Sequence, residues 1–232
     1  MKSEIMIKNF QYFALALVLF VQTAYSQSDN SYQGSFTGVT GVGKVKLKLI
    51  ADSQSFAKIV GTNEEAGNVK ISFSNNNVKV QALQFWKGDY IVVEVHYKNL
   101  MSVNLDAGAL AYASSRINSD NLNLNLSAGS ELDADVQCDL LTMKAGQGSV
   151  ITISGTADNL TANASTGAEI NAQKAAFDSC TLKSNTGSEI TVRSCDNLTA
   201  KANTGGMIYY VTKPNNSNIS ANTGGEIKKL SN

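Results

Sequence analysis

The chain has 232 residues and balances 19 lysine and arginine residues against 19 aspartate and glutamate residues. A formal net charge of zero argues against a nucleic-acid-binding protein, since such proteins concentrate positive charge against the phosphate backbone. With a single proline, Pro214, the composition is typical of a fold in which almost every backbone N–H takes part in a β-ladder.

The amino terminus has the pattern of an export signal. Two lysines precede a short apolar run over residues 13–21, and small residues follow at the positions that a signal peptidase reads. The run is too short for a membrane-spanning helix, which needs about 20 apolar residues. We predict a signal peptide over residues 1–26, with Met6 as an alternative start and cleavage before Gln27. The mature chain is then expected to have no membrane span and to be periplasmic, displayed on the outer cell surface or secreted.

The first part of the mature chain, residues 27–105, is rich in predicted strands but repeats only weakly. Residues 43–50, for example, alternate lysine with aliphatic residues, as a half-buried strand does. We predict that this region forms either the wider opening coils of the repeat structure that follows or a small β-cap, because an uncovered coil exposes a strand edge. The only histidine, His96, has no paired nucleophile, and we interpret it as an ordinary surface or core residue.

The second part, residues 106–229, repeats a glycine-centred turn at nearly constant spacing. Successive key glycines are 19, 19, 20, 18 and 19 residues apart: Gly129, Gly148, Gly167, Gly187, Gly205 and Gly224. A fixed period of this length indicates a solenoid, in which each repeat is one rung and buries its apolar face only against its neighbours. Because like units repeated in one sense stack in parallel, we predict a single-domain, all-β parallel β-helix over residues 27–232. Its crossovers are expected to be right-handed.

Equivalent residues of successive rungs are predicted to form columns. Apolar residues alternate before each turn, and an Ile or Leu follows three residues after each key glycine, so stacking in register gives a continuous, narrow interior. The glycines are expected to adopt a backbone conformation that a Cβ would hinder, with the preceding Thr or Asn capping the corner. Asn185, Asn203 and Asn222 are expected to form a ladder of side-chain amides.

The three cysteines are predicted to be unpaired, buried hydrophobic residues. Cys138 and Cys195 fall in one column three rungs apart, about 14 Å at the usual strand spacing, which is beyond disulfide reach. Cys180 falls in a different column, among leucines. We expect no metal site, because a zinc site needs several converging ligands and His96 is far from the cysteines in sequence.

Four glutamates are expected to form an outward column, two residues after their key glycines: Glu131, Glu169, Glu189 and Glu226. Carboxylates in a column are the ligand type that Ca²⁺ prefers. Val150 and Met207 interrupt the column, however, so we interpret it as a solvated face relieved by nearby lysine and arginine side chains. No cofactor is expected.

Two aromatic pairs are the candidate binding or interface residues. Phe85 and Trp86 lie in a loop-like stretch, and Tyr209 and Tyr210 follow the fifth repeat, where other rungs have small polar residues. Exposed aromatic side chains stack on sugar rings or anchor protein contacts. The alternative is packing between coil and cap, or a subunit interface.

The serial order of these motifs resembles the bacterial family described as putative autotransporter adhesin head domain, the GIN domain, found in exported proteins of Bacteroidetes. The resemblance covers about residues 33–229. It begins with Phe-x-Gly-Val-x-Gly-x-Gly-x-Val-x-Leu at residues 36–47, continues with a strand at residues 77–80 and a Leu-x-x-Val-x-Leu step at residues 100–105, and ends in the glycine turns. Several turns lack the double glycine of the family.

The sequence therefore predicts a non-enzymatic exported β-solenoid of the cell envelope, an adhesin or scaffold that binds a glycan or an envelope protein. Two alternatives remain open. One is a polysaccharide lyase or hydrolase, a class that also uses parallel β-helices and needs clustered acidic and basic side chains. The other is a scaffold that acts by forming homo-oligomers.

Overall fold

The structure is a computed structural model that describes residues 31–61, 66–83 and 89–230. The predicted signal peptide and the pair Phe85 and Trp86 lie outside these residues. Seventeen strands form one continuous sheet. They are β1 (Ser31–Gln33), β2 (Gly38–Val42), β3 (Val45–Ala51), β4 (Phe56–Val60), β5 (Val69–Ser74), β6 (Asn77–Ala82), β7 (Ile91–Tyr97), β8 (Ser102–Asp106), β9 (Leu110–Ala113), β10 (Ile117–Leu126), β11 (Glu131–Ala145), β12 (Val150–Ala164), β13 (Glu169–Asn185), β14 (Glu189–Asn203), β15 (Met207–Tyr210), β16 (Asn216–Asn222) and β17 (Glu226–Lys229).

The repeats form a parallel β-solenoid of about seven turns, which confirms the predicted fold and the rung of about 19 residues. Strands β10 to β14 pair in parallel with matching positions side by side. Ile170 pairs with Ile151 on one side and with Ile190 on the other. Each long strand bends near its middle, so one rung supplies two faces before it reaches the glycine corner.

The corner is a tight turn in which two successive residues have positive φ. At the third repeat, Thr166 has φ 54° and Gly167 has φ 70°, and the amide of Ala168 donates to the carbonyl of Ser165 at 3.2 Å. This is the pattern of a type I′ turn. The predicted glycine conformation is confirmed, and the threonine before it shares the positive φ, which is strained for a β-branched residue. The amide of Gly167 also donates to Thr186 of the next rung at 3.1 Å, so the corners bond to one another.

The predicted asparagine ladder is confirmed beside these corners. The side-chain amide of Asn203 donates to Oδ1 of Asn185 at 3.0 Å, and that of Asn222 donates to Oδ1 of Asn203 at 3.3 Å. Each bond joins neighbouring rungs, so the ladder fixes the register at the corner.

The interior is narrow and closely filled. Ile151, Ile170, Ile190 and Ile208 of one column are fully buried, and the inward positions before the corners include several alanines, such as Ala162 and Ala164. Burying an aliphatic side chain of this size contributes about 1.5–3 kcal/mol. Each inward side chain has its hydrophobic neighbours in the rungs above and below, so rungs stabilise one another rather than folding singly.

The opening region contains both coils and a cap, and its order in space differs from its order in sequence. The coil of β2 and β3 lies between the later coil of β6 and β7 on its outer side and that of β8 and β9 on its inner side. Strands β1, β4 and β5 then add antiparallel pairs at the outer edge. The described residues of the opening region therefore contain parallel coils and antiparallel edge strands.

The opposite end of the solenoid is less covered. Every residue of β16 is exposed, Ile219 with 42% of its surface, and Ile227 of β17 is only half-buried against the core. Among the described residues, no further strand pairs with β16 or β17 on their outer side. Lys228 forms an ion pair with Glu226 of its own strand.

The prediction of three unpaired cysteines is wrong for two of them, because Cys180 and Cys195 form a disulfide with a Cα–Cα distance of 5.9 Å. They lie on neighbouring rungs, where Cys180 pairs in register with Leu198 and Cys195 with Phe177. The prediction compared cysteines only within one column. Cys180 and Cys195 lie in different columns on either side of the bend, and their inward side chains approach each other diagonally between the two rungs. A comparison restricted to residues of the same column does not find such a pair. Cys138 is free and buried, and burial raises the pKa of its thiol to about 11.

Candidate functional site

A single outward column runs along nearly the whole solenoid and contains four lysines. It occupies the position four residues before each key glycine and continues through the opening coils. We call it the lysine column; in spatial order it is Lys79, Thr40, Asn104, Asn125, Lys144, Asn163, Lys183, Lys201 and Ser220. Strands pair at about 4.8 Å, so the column is about 38 Å long.

The stretch of the lysine column from Thr40 to Asn163, which includes Lys144, forms one wall of a groove of about 500 Å³. The other wall is the corner column, which includes Asp106, Ser127 and Ser165. Polar groups in the groove bond to one another along the axis: the side-chain amide of Asn125 donates to Oδ1 of Asn104 at 3.0 Å, and Ser127 Oγ donates to Oδ1 of Asp106 at 2.8 Å. The groove is therefore preformed and runs parallel to the solenoid axis, with these polar groups beside apolar surface from Leu105, Leu126 and Ala145.

A column of hydroxyl groups lies two residues from the lysine column on the same face. It contains Thr142, Thr161, Thr181 and Thr199, with Ser102 and Asn123 before them and Asn218 after them. The outward positions of β10 to β14 on this face are otherwise asparagine, serine and lysine, apart from Leu140. The face thus offers regularly spaced donors and acceptors, with positive charge along one side.

Apart from Asp106 in the groove, the columns of acidic side chains lie on other parts of the surface. Five exposed aspartates stack at the bend of the long strands, nine residues before each key glycine: Asp120, Asp139, Asp158, Asp178 and Asp196. The predicted glutamate column also stacks in register and is interrupted by Val150 and Met207 as expected. Among the described residues, no group of three His, Cys, Asp or Glu side chains is arranged to hold a metal ion.

His96 belongs to a polar network on the opening coils. Its Nδ1 lies 2.8 Å from Oδ2 of Asp52, and its ring stacks on Phe56 with centroids 4.0 Å apart. Its Nε2 faces Glu94 at 4.0 Å, and Glu94 accepts a bond from Lys48 Nζ at 3.0 Å. The hydrogen bond from His96 lowers the pKa of the Asp52 carboxyl. Since Nε2 faces a carboxylate, this network lacks the geometry of a nucleophile–histidine pair.

Tyr209 and Tyr210, two of the predicted aromatic site residues, do not line the groove. Tyr209 is half-buried in the outward column between Thr191 and Lys228, on the face of the glutamate column, and its hydroxyl donates to Met207 Sδ at 3.2 Å. Tyr210 packs against the core, beside Val192. Phe85 and Trp86 remain predictions.

The sequence contains a signal for the lysine and aspartate columns that the prediction did not use. Counting back four residues from each key glycine gives Lys144, Lys183 and Lys201, and counting back nine gives the aspartates at the bend. Aligning the repeats for charge as well as for apolar residues therefore finds both columns.

The comparisons with known proteins agree with this fold. The family described as "Putative auto-transporter adhesin, head GIN domain" matches residues 35–214, and the chain belongs to this family. No curated protein matches the sequence. Within the described residues, no helix is long and apolar enough to cross a membrane.

Solved structures from Bacteroides and Parabacteroides species are similar in fold. A putative adhesin from Bacteroides fragilis has a TM-score of 0.77 and 14% identity, covering 86% of this chain and 95% of its own. A putative adhesin from Parabacteroides merdae has a TM-score of 0.67 and 18% identity, covering 87% and 95%. A putative lipid binding protein from Parabacteroides distasonis has a TM-score of 0.63 and 16% identity, covering 87% and 97%. At these identities the likeness concerns the fold.

Proposed function

We propose that the chain is a non-enzymatic, exported binding module of the cell envelope, an adhesin-type solenoid that binds its ligand along the face of the lysine column. The observation that carries the proposal is the preformed groove beside that column. Membership of an adhesin-named family supports a role in binding, and the predicted signal peptide supports export to the periplasm, the outer surface or the medium.

A binding role fits the groove better than hydrolysis of a polysaccharide. Most glycoside hydrolases use two carboxyl groups on either side of the bond that breaks. The groove is lined by one carboxylate, Asp106, whose Oδ1 accepts bonds from Ser127 Oγ and the amide of Ala107. The only other titratable side chain in its lining is Lys144.

The test combines binding with turnover on the purified mature chain. Polysaccharides and envelope extracts are immobilised, retained protein is measured, and the same samples are assayed for newly released reducing or unsaturated sugar. We expect retention without release. Release that a single acidic substitution abolishes would favour the enzyme alternative, and no retention on any sample would refute the binding module. Fractionation of cells making the full chain measures its location.

A second candidate function, self-association, is favoured by the end of the solenoid at β16 and β17. The exposed outer edge of β16 has backbone groups ready to pair, and Ile219 and Ile227 add apolar surface. A second copy joined end to end would cover both. Light scattering tests this candidate: we would expect a dimer at micromolar concentration that Ile219→Lys returns to monomer, whereas a monomer throughout rules it out.

A further inference from the structure

We infer that the lysine column binds a linear anionic polysaccharide that lies along the column, parallel to the solenoid axis. This inference rests on the proposed binding function and names the chemical class of its ligand. It is drawn from the charge, the spacing and the side-chain chemistry of one face.

The lysine side chains of the column are available to bind an anionic ligand. Lys79, Lys144, Lys183 and Lys201 are all exposed, and none forms an ion pair with another described residue. Lysine is a compact cation on a flexible stem, suited to a sulfate or carboxylate whose position varies along a polymer. In a chain with zero net charge, such a column attracts a polyanion by local arrangement, not by overall charge.

The spacing of the column suits an extended polymer. Lys183 and Lys201 are on neighbouring rungs, about 5 Å apart at the backbone, and Lys144 is two rungs from Lys183, about 10 Å. Charges and hydrogen-bonding groups therefore recur along one straight line. A compact ligand would meet only one or two rungs, whereas a linear chain meets many.

The neutral positions match the other groups of a sugar chain. The amides of Asn104 and Asn125 precede Lys144 in the column, the amide of Asn163 lies between Lys144 and Lys183, and the threonine column supplies hydroxyl groups alongside. Both groups donate and accept hydrogen bonds, as sugar hydroxyls do.

The aspartates at the bend do not cancel the attraction. Asp139 and Lys144 are five residues apart along one strand, about 17 Å at the usual rise, which is about two screening lengths at physiological salt. The groove lies on the side of the lysine column away from the aspartates at the bend, because its other wall is the glycine corner, where Asp106 is the one carboxylate in the lining.

The same face fits other anionic partners less well. Single-stranded nucleic acids bind by stacking on aromatic side chains, and the outward positions of β10 to β14 on this face contain none. Docking on an anionic membrane uses large apolar residues that enter the lipid, and Leu140 is the one large apolar residue at those positions.

The test compares a sulfated polymer with its uncharged parent, dextran sulfate with dextran, and adds polygalacturonate as a carboxylated polymer. Dextran sulfate, polygalacturonate, neutral dextran and phosphatidylglycerol vesicles are titrated against the purified mature chain by calorimetry, at low and at physiological salt. The key variant is K144Q/K183Q/K201Q. Its matched control, K98Q/K174Q/K213Q, loses the same charge at exposed lysines outside the lysine column. Thermal melts establish that both variants fold.

We expect the wild-type chain to bind dextran sulfate and polygalacturonate but not dextran, with weaker binding at higher salt. The key variant should bind about tenfold more weakly, since three exposed charges at about 0.5 kcal/mol each amount to about 1.5 kcal/mol, and the control should change less than twofold. Equal losses in the two variants, or tighter binding to vesicles than to either polysaccharide, would overturn the inference. Binding only to neutral glycans would overturn it while leaving the proposed function intact, whereas failure to bind any glycan or envelope extract would remove both.

Discussion

Reduction of the Cys180–Cys195 disulfide should destabilise the solenoid by about 3 kcal/mol. The bond closes a loop with a sequence separation of 15, and the chain-entropy estimate for a loop of that length is about 3 kcal/mol at 25 °C. The bond also joins two neighbouring rungs, so its loss weakens the contact on which each rung depends.

Urea unfolding, followed by circular dichroism with and without reductant, measures the effect. With an m-value of about 3 kcal/mol/M, the midpoint should fall by about 1 M on reduction. Cys138→Ala should show the same fall, because Cys138 is free, and the double variant Cys180→Ala/Cys195→Ala should not respond to reductant. Three reactive thiols in the unreduced, denatured protein would refute the pairing, and an unchanged midpoint would refute the estimate.

Three further predictions concern single positions. Gly155→Ala should lower the free energy of unfolding by about 3 kcal/mol or more, because Gly155 has φ +104° and an added Cβ would clash with the carbonyl oxygen of Val136. The control Gly146→Ala should lower it far less, because an added Cβ there would contact only Ser165 Oγ, at 3.5 Å. Tyr97→Phe should leave stability unchanged or raise it by about 1 kcal/mol, because the Tyr97 hydroxyl is buried without a partner in the described region; a clear loss would reveal a missing hydrogen bond. His96→Gln should raise the pKa of Asp52 toward its ordinary value in an NMR titration. Since the folded-state pKa of Asp52 is lowered, its contribution to stability is present above pH 3.8 and lost as the pH falls through the lowered value, and an unchanged Asp52 pKa in the variant would contradict the hydrogen bond.

The repeat half of the fold was predictable because its information is local and recurrent. The spacing of the glycines gives the length of a rung, and the alternation of apolar and polar residues gives the side that faces inward. Repeats that are neighbours in sequence also pair in space, so none of the described strands β10 to β17 pairs with a distant part of the chain. The opening coils are different. The coil of β2 and β3 pairs with strands that come later in sequence on both sides, and no repeat in residues 27–105 encodes that order.

The candidate site was predictable only in part. Tyr209 and Tyr210 were predicted as binding or interface residues because they are large aromatic side chains where other rungs have small polar ones. In the structure, Tyr210 packs against the core and Tyr209 lies on the face of the glutamate column. The lysine column consists of ordinary surface residues, which form a continuous column only when the rungs stack in register. The disulfide was missed for a related reason, since diagonal contacts across a bend depend on how sharply the strand turns.

Stacking in register underlies the columns, the groove and the proposed ligand, and distances between spin labels measure it. In an oxidised Cys138→Ala background, one label is placed at Thr199→Cys and a second in turn at Thr142→Cys, Asn123→Cys or Ser102→Cys. These positions are three, four and five rungs away in one outward column. Paramagnetic resonance should give backbone separations of about 14, 19 and 24 Å, rising by about 4.8 Å for each rung. Separations that do not increase steadily with rung number would show that the repeats do not stack in this register.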